Sequence, residues 1–394
     1  MSRTKNSPKI SPRKNRQRNI KQNNFKAILI VLLCLIIVLP AVILTVIHPV
    51  GIFEYFSYLS RTSGQGDGYS IDIAGGKPYY TLSNNNIYLV VNDSSVNAYN
   101  LAGKTVFERP HSFSKPVIKF GDTRYILYGQ GEKELSVNTV DDTLYSLNFN
   151  GGVLCADISK SGVFAVATNA DGYDSSVAVF DKKNNKIFEW FSSDETISSV
   201  KLSNNGKNLA VATIKVEDGS FVSSFYVLKF DSANPISKRV YKDDVIYSLS
   251  TPSANIFCVG TSSTVSFINF KKDTDTTYTD DYTVSIVKKY NGRTIVVRSL
   301  AENQEESLVE VFAKNGKKIL SFVVTTSVTD CSYKSGNIYL MDNSKIYKYN
   351  SKCKLTAEAD IEFDSLYIEA ITNNDVALIR NSVIEKCNLA KVGD

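Results

Sequence analysis

Two short patterns recur along this chain, and a recurring unit restricts the fold more than any single motif does. CADISKSGVFAVAT from Cys155 and VKLSNNGKNLAVAT from Val200 each read as a strand ending near a Ser, a turn containing Gly, and a strand ending Ala-Val-Ala-Thr. VNAYNLAGKTVFE from Val96, VAVFDKKNNKIFEW from Val177 and VEVFAKNGKKILSF from Val309 all run apolar-x-apolar, turn, Lys, apolar. Short runs of Val, Ile, Tyr, Phe and Thr bounded by Asn, Gly, Asp and Ser are hairpin signals, and no long stretch sustains helical spacing. Joined, the two hairpins make a four-stranded antiparallel unit of roughly 40 residues, which buries its faces only by stacking on its own copies.

That period is the period of a propeller blade. Units fall at 77–110, 114–150, 153–192, 197–243, 245–281, 282–324 and 326–360, and a last unit at 363–390 is one strand short. The alternating segment Tyr69-Ser70-Ile71-Asp72-Ile73 stands alone before the first unit. Pairing it with the last would close the ring and cover its edges, giving eight blades, the favoured count. Seven result if 363–390 packs as an irregular cap. The expected fold class is therefore all-β, a β-propeller over 69–394 carried on a single N-terminal transmembrane helix.

The helix is expected from an abrupt switch in charge. Nine basic residues and no acidic ones occupy 1–26, and the 21 residues from Ala27 to Ile47 carry no charge. As a helix that stretch covers the ~30 Å hydrocarbon core of a bilayer. Its length, and the lack of a small-x-small site in AVILTVIHPVG, favour an uncleaved signal-anchor over a cleaved signal peptide. The positive-inside rule then keeps the disordered basic tail cytoplasmic and places 69–394 outside the cell membrane. Lipid contacts come from 27–47 and from the tail, which attracts anionic headgroups. Of the 45 Lys and Arg, the 36 beyond the tail face 40 Asp and Glu, a formal charge of −4 that gives no reason to expect nucleic acid as a partner.

Residues 48–68 read as a juxtamembrane collar and linker. Ile52, Tyr55, Phe56 and Leu59 share one helical face, Phe53 and Tyr58 widen the stripe, and Gly64, Gly66 and Gly68 mark a flexible exit. These six apolar residues are the candidates for contact with a membrane interface or a partner's membrane helix.

Catalytic material is scarce. The two histidines, His48 and His111, cannot build a His-based metal centre or a Ser-His-Asp arrangement. Asn169–Asp174 suggests a calcium loop, but the twelfth position is Phe180 where an EF-hand needs Glu, so a strand-joining turn is expected. The run from Asp273 to Asp281 reads as a solvated edge strand and loop. Cys155 and Cys258 read as core fillers, and Cys353 and Cys387 belong to adjacent units and could be bridged. The many tyrosines read mainly as packing between blades. No catalytic, cofactor-binding or metal-ligating residue is nominated.

The paired hairpins resemble the repeats of the quinoprotein and WD40-like β-propeller superfamily. Basic tail, one span and degenerate propeller together resemble bacterial single-pass membrane-anchored propellers that carry a domain of unknown function. The resemblance covers about 69–390 and implies a fold rather than a cofactor, because the Gly-His and Trp-Asp signatures are absent and Trp190 is alone. The expected function is a membrane-tethered, non-enzymatic scaffold that binds another envelope or membrane protein. The alternatives are an extracytoplasmic ligand sensor working through a membrane partner, and a quinoprotein-type propeller enzyme.

Overall fold

The computed structural model describes residues 29, 34, 50–73, 76–84, 87–290, 292–300 and 305–392. The tail at 1–26 and all of the 27–47 span except Leu29 and Cys34 lie outside these, and among the described residues no helix is long and apolar enough to cross a membrane. The chain divides into two compact units, Met1–Ile52 and Phe53–Asp394.

Eight antiparallel sheets form a ring. Their innermost strands, from blade 1 to blade 8, are Tyr80–Asn84, Pro116–Phe120, Val153–Ile158, Thr196–Leu202, Ile246–Ser253, Thr283–Tyr290, Asp330–Lys334 and Ser365–Ala370. Each is followed outward by its sequence neighbours in order. Successive innermost strands touch all the way round, including blade 8 against blade 1. One apolar cluster fills each of the eight blade interfaces. The second and third strands of a blade are covered on both faces, so Ile87–Val91 and Ser95–Asn100 are buried at every position. The outermost strand, Thr105–Pro110, has one covered face and alternates instead.

The ring closes as the sequence suggests. Strand Ile71–Asp72 is the outermost strand of blade 8, pairing Ile71 with Ile384 and Asp72 with Val383. Ile73, Ile384, Tyr88 and Val90 then share the cluster between blades 8 and 1. Residues 390–391 continue past blade 8 and add a fifth strand to the outer edge of blade 7.

The recurring "turn, Lys" pattern has a local cause. In blade 1 the Asn100 Oδ1 accepts hydrogen bonds from the backbone N–H of Ala102 and of Lys104, both at 2.9 Å, closing a tight turn with Gly103 at φ 79°. Asp181 and Asn350 accept equivalent bonds in blades 3 and 7. Asn184 (φ 68°), Gly316 (φ 86°) and Cys353 (φ 59°) occupy the left-handed position, and the register shifts beside it in each case. This is the three-residue hairpin with a bulge, so the motif encodes a turn rather than a ligand site. Cys353 therefore stands in a turn, and both it and Cys387 are free thiols, without the bridge left open above.

Candidate functional site

The collar forms helix α1, Ile52–Thr62, and its polar residues mount it on the propeller. Glu54 in the first turn accepts from Arg124 Nε at 2.9 Å and Nη2 at 2.8 Å, and from Thr123 Oγ1 at 2.6 Å. Arg124 is held from behind by donating to the Lys182 carbonyl at 2.7 Å. One turn on, Asp141 accepts from Ser57, and Arg61 Nε reaches it at 2.7 Å. The last turn leaves carbonyls unpaired, as every helix does. Lys104 Nζ donates to the Arg61 and Ser63 carbonyls and Asn100 Nδ2 to those of Thr62 and Gly64, which also places a cation at the negative end of the helix.

The six apolar collar residues divide by direction. Tyr58 is 3% exposed and packs with Ile87, Val140 and Phe120, its ring centroid 6.4 Å from that of Phe120. Ile52 and Tyr55 are half-buried. Phe53 is 91% exposed, Phe56 52% and Leu59 37%, an outward row at spacing i, i+3, i+6. The segment read as a flexible exit lies against the ring, since a Cβ on Gly66 would meet the Lys104 backbone at 2.5 Å. Glu54, Ser57 and Arg61 were not singled out by the sequence. Their partners lie 69 to 84 residues away, where spacing carries no signal.

All these contacts lie on the face of the ring formed by the turns after the first and third strands of each blade. The same face holds one mouth of the central tunnel. Lys119, Lys201 and Lys289 are each the penultimate residue of an innermost strand, in blades 2, 4 and 6, while acids hold that place in blade 3, Asp157, and in blade 8, Glu369. Lys201 Nζ bonds Asp157 Oδ1 at 2.6 Å, and the other carboxylate oxygen accepts from the Leu202 N–H at 2.8 Å. Partial desolvation inside the mouth, then repulsion from Lys201 and Lys160, pushes the Lys289 ammonium down to about 8. Desolvation and Lys201 lower that of Lys119. Both side chains are exposed to solvent. Neither donates a hydrogen bond nor forms an ion pair among the described residues. Recurrence at one repeat position was the signal that could have found them.

Two buried carboxylates elsewhere are well supplied with hydrogen bonds. Glu195 accepts from Thr213, from Ser224 at 3.1 Å and from Tyr226 at 3.0 Å. At Asp244, burial is outweighed by bonds from Ser262, Ser263 and Thr261, which hold the carboxyl below its usual range. Asp171 and Gly172 make the strand-joining turn expected near Asn169. Asp273 and Asp275 clamp Arg239 of the neighbouring blade beside an exposed outer strand. Burial pushes the thiols of Cys155, Cys258 and Cys331 up to about 12, as befits packing residues. Among the described residues no group of His, Cys, Asp and Glu is placed to hold a metal ion.

Comparison with known proteins supports the architecture. A family model described as "Family of unknown function (DUF5711)" matches residues 65–389. No curated protein matches. Among solved structures, BamB from Moraxella catarrhalis is similar with TM-score 0.54 and 10% identity, covering 81% of this chain and 98% of its own. A eukaryotic initiation factor gives TM-score 0.55 and 10% identity, covering 84% of this chain and 90% of its own. Kluyveromyces lactis Hsv2 gives 0.50 and 11%, covering 73% of this chain and 100% of its own. At such identities the likeness is one of fold.

Proposed function

We propose that this chain, which belongs to the DUF5711 family of unknown function, is a membrane-tethered, non-enzymatic binding platform at the cell envelope. In this reading the uncharged run 27–47 is an uncleaved anchor, the basic tail is cytoplasmic, and the propeller is extracytoplasmic. The partner is another protein of the same membrane, and it engages the outward row of α1. One observation carries the reading. A short helix has its polar residues committed to fixing it on the ring, while Phe53, Phe56 and Leu59 on its far side are left to solvent. A rigid exposed apolar row costs little ordering entropy on binding, and confinement to one membrane raises the effective concentration of a partner.

The test is photo-crosslinking in native membranes before solubilisation, with a photoreactive residue at Phe53 or Phe56. A single protein adduct from these positions, absent when the residue is at Lys183 and abolished by Leu59→Ser, is the expected result. Adducts to lipid alone would overturn the protein-partner reading. A reporter fused after Asp394 checks the topology, which is wrong if the fusion is active only in a cytoplasmic form.

A further inference from the structure

We propose that the lysine-lined tunnel mouth is a binding site for a phosphate-bearing anion of two or more charges, a phosphomonoester or an oligophosphate. This stands apart from the docking role of α1 and uses none of its residues. Lys119, Lys201 and Lys289 stand at the same end of the innermost strands of blades 2, 4 and 6, with Lys160 in the turn after the blade 3 strand, so four lysines from separate stretches of chain stand at one end of the tunnel.

Charges brought together in a fold are ordinarily neutralised by it. Here Asp157 and Asp330 are already engaged. Asp157 holds Lys201 and the Leu202 N–H. Asp330 holds Lys288, which also donates to the Cys331 carbonyl at 3.2 Å, and the field of Glu369 falls on the blade 7 and 8 side, at Lys288 and Lys334. The innermost strand of blade 1, Tyr80–Asn84, has no acid to contribute. Lys119 and Lys289 are thus left as donors without an acceptor, and Lys201 retains donors beyond the one it gives Asp157.

A phosphate ester carries roughly −1.5 to −2 charges near neutrality and three acceptor oxygens, which suits several lysines converging on one point. The rigid ring holds these lysines in place before the ligand arrives, as an anion site requires. A polynucleotide would need an extended basic face, whereas the positive charge here is enclosed within a ring whose external part has a formal charge of −4.

The test uses the full chain in phosphatidylcholine nanodiscs. Lysines are acylated near pH 8, where Lys289 is partly neutral and nucleophilic, and labelling is read peptide by peptide. Added inorganic pyrophosphate is expected to protect Lys119 and Lys289 saturably, leaving Lys271, an exposed lysine in a turn on the same face, unchanged. Lys119→Gln should weaken that protection at Lys289 by about tenfold or more, and Lys271→Gln should not alter it. Because Lys119 has no partner to orphan, its substitution leaves folding intact, which the melting temperature checks. Protection by pyrophosphate assigns a soluble phosphate as the ligand source. Protection appearing only when phosphatidic acid replaces part of the phosphatidylcholine assigns a lipid headgroup. Labelling unchanged in both arms, or lowered equally at Lys271, overturns the site.

Discussion

Arg298 and Lys289 belong to neighbouring strands of blade 6, and the ring treats their charges in opposite ways. Arg298 is fully buried between blades 5 and 6. Its Nε meets Glu310 at 2.8 Å, its Nη1 the Ser263 carbonyl at 3.1 Å and its Nη2 the Tyr278 carbonyl at 3.0 Å, while Lys318 supports Glu310 at 2.5 Å. Lys289 sits a few residues away along the chain with cations acting on it, and Asp157, the carboxylate that attracts it, is committed to Lys201. A charge sealed into a blade interface must be paired because water cannot reach it. A charge at the tunnel mouth is solvated well enough to stay unpaired, and so remains available to something else. Structural charge and binding charge are thus told apart by their partners, not by residue type.

The sharpest way to break that comparison is to treat Arg298 as Lys289 is treated, removing a partner. Arg298→Met leaves Glu310 buried with only Lys318, and the expected cost is about 3–5 kcal/mol in urea unfolding. The double change Arg298→Met with Glu310→Leu should recover much of it, since an apolar pair of similar volume needs no compensation. A single variant as stable as the wild type would mean that the interface admits water.

Glu54 and Arg124 lie between the two extremes, partly buried and paired in two places, with side chains 19% and 10% exposed. Glu54→Gln should cost about 1–2 kcal/mol and act locally. Hydrogen exchange should quicken through α1 while the inner blade strands keep their protection. Equal acceleration throughout would show that helix and ring unfold as one unit.

Lys289 should give the smallest effect and the opposite sign. Its ammonium is held near 8 in the fold against 10.5 ordinarily, so between those values the unfolded chain binds more protons and stability rises with pH. The thiols of Cys155, Cys258 and Cys331 oppose this above their ordinary value, because the fold raises them and the unfolded chain ionises first. Comparing the wild type with Lys289→Gln cancels the thiols. Without ligand, the variant should melt slightly higher below pH 8, and the difference should fade as pH rises toward 10.5. A variant that melts lower at neutral pH would show that Lys289 is paired after all.

How far the sequence could be read follows the same division. Hairpin turns and strand alternation are local, so the blades could be read off, as could the closing segment Tyr69–Ile73, whose alternation stands where one strand is missing. The collar was legible as an amphipathic helix, but not the inward turn of Tyr58 or the outward turn of Phe53, because a helical stripe does not say which neighbour covers it. The lysines of the tunnel mouth share a place in the repeat, and that recurrence is the one trace of them as a group in the sequence. Lys119, Lys201 and Lys289 are about 80 residues apart, and each looks like an ordinary strand-end lysine.

By itself, then, the sequence determined the strand period and the uncharged run before the propeller, and it marked Tyr69–Ile73 as a segment left over from that period, since each rests on local alternation or on composition. Only the tertiary structure decided which face α1 occupies, which charges are sealed and which are left open. Those outcomes depend on ring closure, which brings strands from distant blades around one axis and sets how much water each charge keeps.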